Sequence, residues 1–362
     1  MTAMKRIGVL TSGGDCSGLN AAIRGVTLGA IKKGWEVLGI HNATDGLFVR
    51  PMRYQKLTMA DFEFPYATLG GTMLGTNSSG NANLQERPDG TYEELTNEQL
   101  NQRFKDAVEE LGLSALVVIG GDGSMAIVSK FCKMAGISMI GIPKTIDNDA
   151  PGTDLAIGFA TARAVVTDAL DKLNTTAASH HRVLIAEVMG RGAGHLALES
   201  AVAGFADVAL IPEIPYTYEG VVKRLKEAQA NGKRHSVMVV AEGIKTPDGK
   251  HSYSCAGKFG GVSEYFVSRL AKDGFNARAN VLGHIQRAGT PVAEDRILAS
   301  AFAVKAVELL SEGKTNRVVC HQNGKIIDMD LNQVLKISNS PVDVNGEMVK
   351  VAQSLGIYIG ER

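Results

Sequence analysis

The sequence predicts an α/β protein of two doubly wound domains with mostly parallel sheets. Three observations carry this. Short, continuous apolar runs recur along the 362 residues, as strands buried on both faces require. Glycine-rich loops follow many of those runs. Amphipathic stretches of helical period fill the intervals. The length is enough for two cores.

The elements follow in order. Residues 6–11 (RIGVLT) read as the first strand, 12–20 as a turn, 21–34 as a helix and 35–40 as the next strand, a βαβ unit. Apolar runs at 115–119, 138–142, 183–188, 208–211 and 236–241 predict further strands. Thr96 and Gln99 have the spacing of a capping box for a helix through Leu111. Residues 159–173 and 292–310 read as long amphipathic helices, and the helix over 219–232 stops at Asn231-Gly232. Asn323-Gly324 marks a late hairpin. The polar stretch 77–95 reads as an exposed excursion.

Composition excludes several classes. The formal net charge is +0, against a nucleic-acid partner, because such domains carry a basic excess. No apolar run reaches the ~18 residues of a membrane span. The N-terminal apolar stretch stops at Thr11, too short for a signal-peptide core. Cys16, Cys132, Cys255 and Cys320 lack CxxC spacing and read as free thiols of a cytoplasmic protein. No nearby Cys or His completes a zinc set with His180 and His181.

In doubly wound sheets, ligands bind beyond the carboxyl ends of strands. The loops there hold the candidate chemistry. "TSGGDCSG" after the first strand suits an anion or, equally, a tight turn. "VVIGGDGSMAI" (117–127) is more telling. Phosphate would sit on the helix start with Asp122 holding Mg²⁺, unless Asp122 is a plain N-cap. GGDG-type loops also occur in kinases of NAD and of lipids. "GIPKTIDNDAPGTD" follows the next strand, and sequential strands often lie side by side, so Asp147 and Asp149 are expected near Asp122. Carboxylates gathered at a phosphate site repel one another without a cation. Metal-assisted phosphoryl transfer resolves this, one carboxylate serving the metal and another accepting a hydroxyl proton. The alternative for Asp147-Asn148-Asp149 is an Asx-turn cluster. "EVMGRGAGHLA" (187–197), "VVAEG" (239–243) and "RANVLGHIQRAGTP" (278–291) add Arg191, Glu242, Arg278, His284 and Arg287. Singly these read as salt bridges or a packed histidine. Together they suit an anionic sugar.

The strings "GVLTSGGD", "VVIGGDGS", "TIDND", "EVMGR" and "LGHIQRAGTP", in this order, resemble the 6-phosphofructokinase family from residue 6 to about 320. The resemblance implies glycolytic phosphorylation of the 1-hydroxyl of fructose 6-phosphate in the cytoplasm, with Mg²⁺ as cofactor. It implies a donor (nucleotide and Mg²⁺) domain of residues 1–158 plus 286–336. A sugar-phosphate domain of 159–285 plus 337–362 completes the chain. Asp147 matches the family's catalytic base, with Asp149 and Arg191 as its catalytic company, and Asp122 matches its Mg²⁺ residue. Gly13, Gly120, Gly121, Asp122, Gly123 and Ser124 match the donor-phosphate cradle. Thr145, Met189, Gly190, Arg191, Glu242, His284 and Arg287 match sugar-phosphate contacts. Arg182 and Arg278 match arginines supplied by a neighbouring subunit, which implies a homotetramer with shared sites. A carboxylate with the ordinary pKa of about 3.9 is ionised at neutral pH and able to accept the proton.

The chain departs from the family pattern at informative positions. Ser78 or a neighbour stands where many ATP-using bacterial members have an arginine. Lys144 is typical of pyrophosphate-using members, but those carry aspartate at the place of Gly123. A lysine attracts any phosphate and excludes none, whereas aspartate at 123 would block the inner nucleotide phosphate. The open glycine therefore predicts ATP as donor, with pyrophosphate as the alternative. Arg24 and Lys233 match part of the family's effector pocket. Leu28 and Asn174 replace basic residues there, so regulation is expected to be absent or altered. A non-catalytic sugar-phosphate sensor would not need Asp122 and Asp147, and both are present.

Overall fold

A computed structural model describes residues 5–78, 84–86, 90–246, 253–254, 258–337 and 339–361. The chain divides into two compact units. The first comprises Met1–Ile146, Ala150–Gly158 and Arg287–Ser338; the second comprises Asp147–Asp149, Phe159–Gln286 and Asn339–Arg362.

The first unit is built on one mostly parallel sheet. Across it the strands run Lys325–Asp330, Arg317–Gln322, Ser138–Thr145, Ala115–Gly120, Arg6–Thr11, Glu36–Ile40 and Tyr54–Leu57, and Ile157–Gly158 also pairs with Ser138–Thr145. Only the two outermost pairings are antiparallel. Residue alternation shows why both faces are covered. Leu116 and Val118 join a core with Leu10, Leu38, Ile40 and Met139, packed by helices Asn97–Leu111 and Asp122–Ala135. Val117 and Ile119, pointing the other way, are equally buried. Strand Ser138–Thr145 meets helix Ala293–Ser311, which packs on helix Leu19–Lys32. A Cβ on Gly25 would lie 2.6 Å from Ala303, so glycine sets how closely those two helices approach. Phe48, Phe104 and Phe131 form an aromatic knot with ring centroids 5.2–6.4 Å apart.

The second unit holds a four-stranded, wholly parallel sheet in the order Val208–Leu210, Ser236–Ala241, Val183–Val188, Ala277–Val281. Its two central strands are buried at every residue. Helices Phe159–His180 and His195–Ala203 pack on strand Ser236–Ala241, and Val262–Leu270 packs on Ala277–Val281. Glu187 is a carboxylate inside this core. It accepts from the Gly261 and Ser263 backbone N–H groups (2.8 and 2.9 Å) and from Ser263 Oγ (2.6 Å). It thereby answers the orphan donors at the start of helix Val262–Leu270.

The predicted α/β class is the observed one. The Thr96/Gln99 capping box closes with both hydrogen bonds, at 2.8 and 3.3 Å. Asn323 and Gly324 turn the hairpin with φ of 50° and 74°. Three features differ from expectation. Helix Phe159–His180 runs a further two turns. Ala277–Val281 is a strand, although its polar residues fit no apolar run, because it lies at the sheet edge and is only partly covered. Tyr54–Leu57 is likewise a polar edge strand. Cys16, Cys132 and Cys320 are buried free thiols, and burial pushes each up to about 12. Cys255 lies outside the described residues, as do parts of the stretch 77–95. Among the described residues no helix is long and apolar enough to cross a membrane.

Candidate active site

In the first unit, loops from distant parts of the sequence converge at the carboxyl ends of strands. Ser12 N donates to Ile119 O and Gly13 N donates to Asn77 O, each at 3.0 Å. Thr76 Oγ1 donates back to Gly13 O at 2.6 Å. Gly13 adopts φ 86°, which glycine tolerates without strain. Two cations flank this loop. Lys144 Nζ donates to Gly14 O, and Arg287 Nη1 donates to Asp15 O at 3.0 Å. A Cβ on Gly14 would lie 2.7 Å from Arg287 Nη1, so a side chain there would push the guanidinium aside. Lys144 is 5% exposed, and its ammonium sits under the loop.

Helix Asp122–Ala135 begins directly after strand Ala115–Gly120. Its N-cap is Gly121, which offers no side-chain bond. Asp122 is therefore the first helical residue, exposed, and not the cap. The helix start is suited to an anion. Gly120 has a packing reason, since its Cβ would lie 3.0 Å from Ser124 Cβ and 3.2 Å from Ser12 O. Gly123 has none: apart from its chain neighbours and its own helix backbone, no atom lies within 4 Å of a Cβ there.

Gly13, Gly123, Ser124 and Ser78 line a cleft of about 250 Å³, with Ile127 and Val128 as apolar wall and Asp45 and Asn77 as polar wall. Asn77 Nδ2 donates to Asp45 Oδ2 at 2.6 Å. Burial pushes the Asp45 carboxyl above its ordinary range, and the Asn77 bond draws it partly back. No motif flags Asp45, because the cleft arises only when separate loops meet. Thr145 closes its strand, paired in register with Gly158.

The second unit gathers another set at the carboxyl end of its sheet. Met189, Gly190 and Arg191 follow strand Val183–Val188, Glu242 follows Ser236–Ala241, and His284 follows Ala277–Val281. Gly243 N donates to Gly190 O at 3.0 Å. A Cβ on Gly243 would lie 2.1 Å from Arg191 O, so these two loops touch only because residue 243 is glycine. Arg191 Nε lies 3.2 Å from Glu242 Oε1, with the arginine side chain 67% exposed. Such an open pair contributes little stability. Gln286, which lies in the quoted string LGHIQRAGTP but was given no role there, joins two of the loops. Its Oε1 accepts from Met189 N (3.1 Å) and its Nε2 donates to Gly283 O (2.9 Å). Only a side chain that both donates and accepts can do this at a site 1% exposed.

Asp147, Asn148 and Asp149 are grouped with this unit. Asn148 is left-handed (φ 52°), a conformation asparagine adopts more readily than most residues. Asp149 is engaged with the late segment of the chain, its Oδ2 accepting from Asn339 Nδ2 (3.1 Å) and its carbonyl from Ser340 N (2.9 Å). Arg182 and Arg278 stand apart. Arg182 precedes strand Val183–Val188, and Arg278 pairs in register with Leu184. Both therefore lie at the amino end of the sheet, Arg182 roughly 20 Å along the strand from Met189 at about 3.3 Å per residue. Of the effector-pocket positions, Lys233 binds both oxygens of buried Asp207 at 2.7 Å. Asn174 donates to Leu170 O and Gly204 O at 3.0 Å.

Known proteins share this chain's sequence and architecture. The family model described as phosphofructokinase matches residues 6–310. The chain is 44% identical to the ATP-dependent 6-phosphofructokinase 1 of Nostoc sp., covering 100% of both proteins. Among solved structures, phosphofructokinase from Saccharomyces cerevisiae superposes with a TM-score of 0.80 at 28% identity. That match covers 97% of this chain but only 48% of the yeast chain. The pyrophosphate-dependent phosphofructokinase from Marinobacter aquaeolei gives 0.76 at 21% identity, covering 99% of this chain and 89% of that one, and so speaks for the fold alone. Matched from end to end by a relative well above the threshold for common descent, this chain belongs to the phosphofructokinase family.

Proposed function

We infer that the protein transfers the terminal phosphoryl group of ATP to the 1-hydroxyl of fructose 6-phosphate, giving fructose 1,6-bisphosphate and ADP. The observation that favours ATP over pyrophosphate is Gly123. It lines the cleft, nothing in the fold requires a glycine there, and its missing side chain keeps the passage clear. Initial rates with fructose 6-phosphate and Mg²⁺, comparing ATP with pyrophosphate, test this. We expect turnover with ATP. Activity confined to pyrophosphate would overturn the donor assignment, and none with either donor would point to a sugar-phosphate sensor.

Roles follow from chemistry. Asp147 accepts the proton of the attacking hydroxyl. The first unit's loop (Gly13) and helix start (Gly120, Gly121, Gly123, Ser124) hold donor phosphates, backbone N–H groups stabilising negative charge as it builds. Lys144 steadies that loop through the Gly14 carbonyl, and Ser78 lies in the cleft wall. Asp122 is the residue suited to Mg²⁺, being an exposed carboxylate at a helix start with no capping duty. When bound, the ion screens phosphate charge. Thr145, Met189, Gly190, Arg191, Glu242, His284 and Arg287 hold the sugar phosphate, and Asp149 supports Asp147. Its proposed location is the cytoplasm.

We further propose a homotetramer in which Arg182 and Arg278 complete a neighbour's site. Their position at the sheet end opposite Met189, Glu242 and His284 supports this. Mixing two inactive variants, Arg182→Ala and Asp147→Asn, after dissociation and reassembly should restore part of the activity, since some mixed sites hold both native residues. No recovery would refute sharing.

A further inference from the structure

We propose that Asp45 reads the nucleoside half of the phosphoryl donor, accepting a hydrogen bond from a ribose hydroxyl or from the exocyclic amine of the base. This rests on ATP being the donor. The cleft combines unlike chemistries. Gly123 and Ser124, at the start of helix Asp122–Ala135, suit phosphate, whereas a carboxylate repels it. A carboxylate in the same cleft therefore calls for a part of the ligand that is neutral and donates hydrogen bonds. The apolar wall agrees, because Ile127, next to Val128, is 52% exposed and would be covered by a sugar or a base. A volume of about 250 Å³ fits part of a nucleotide, being smaller than the roughly 300–1,000 Å³ that a drug-sized ligand occupies.

Asp45 is also held ready. Asn77 fixes one oxygen at 2.6 Å, and a carboxylate accepts several further bonds. The loop that delivers it is costly. Asn42 and Ala43 are both left-handed, with φ 55° and 58°. Gly46 must be glycine, as its Cβ would lie 2.4 Å from His41 O and 2.5 Å from Arg53 O. Strained backbone of this kind persists where surrounding structure enforces it, commonly beside a ligand.

The test is steady-state kinetics with ATP, 2′-deoxyATP, 3′-deoxyATP and inosine triphosphate. Asp45→Ala should raise KM for ATP about tenfold or more, as loss of a charged hydrogen bond predicts. Its KM for fructose 6-phosphate should stay unchanged. The analogue lacking the group that Asp45 contacts should bind the native protein more weakly and lose nothing further in the variant. Asp45→Asn keeps shape and one acceptor oxygen. It should raise KM for ATP about threefold with the same analogue pattern, and it carries the test if the alanine variant does not fold. An unchanged KM for ATP, or an equal loss on all four nucleotides, overturns the proposal. If the native protein turns over with pyrophosphate and not with ATP, the donor reading fails before any variant is made.

Discussion

Asp147→Asn is expected to lower kcat about a thousandfold while KM for fructose 6-phosphate stays within twofold. A general base contributes roughly 10²–10⁴ in rate. Asparagine has the size of aspartate but cannot take a proton, so the loss falls on turnover and not on binding. The variant should fold, because asparagine keeps the size and one acceptor oxygen of aspartate and the neighbouring residues have anchors of their own. Asn148 keeps its left-handed turn, and Asp149 keeps Asn339 and Ser340. A coupled assay of ADP release at saturating substrates checks it. Turnover within tenfold of native would remove Asp147 from the role of base.

The second large effect is expected at the donor. Gly123→Asp should cut kcat/KM for ATP at least a hundredfold without loss of stability. Apart from its chain neighbours and its own helix backbone, no atom lies within 4 Å of the new Cβ, and aspartate in a helix's first turn interacts favourably with its dipole. Outside its own helix nothing packs against this position, so the fold gains nothing from the glycine. What the glycine preserves is space in the cleft. Thermal unfolding and fructose 6-phosphate binding should be native-like, which separates exclusion from misfolding. If ATP turnover in this variant is within threefold of native, space at residue 123 does not choose the donor. Lys144 reads differently in this light. Its ammonium supports the glycine loop through Gly14 O, a duty compatible with either donor.

What the sequence disclosed follows from how local each cause is. Strands buried on both faces announce themselves as apolar runs, so 115–120, 183–188 and 236–241 were readable. The Thr96 capping box and the Asn323-Gly324 turn depend on three or four adjacent residues and were equally readable. Edge strands were not. Ala277–Val281 owes its state to a neighbour, and its own residues are too polar to reveal it. The helix start at residues 120–124 was visible as a glycine string, but which glycines are sterically required was not. Gly120 and Gly123 look alike in sequence and differ only in what surrounds a Cβ. The roles of Gln286 and Asp45 were invisible for the same reason. One bridges loops nearly a hundred residues apart in sequence, and the other joins a wall whose partner begins at residue 77.

The division of the chain has a practical side. The backbone passes between the two units five times, at 146/147, 149/150, 158/159, 286/287 and 338/339. At one passage Gln286 is fastened to Met189 while the next residue, Arg287, is fastened to Asp15. Neither unit is a contiguous segment, so no single proteolytic nick releases one and no truncation of the gene encodes one. The units are not interchangeable cassettes. A laboratory chimera must exchange several pieces of chain at once.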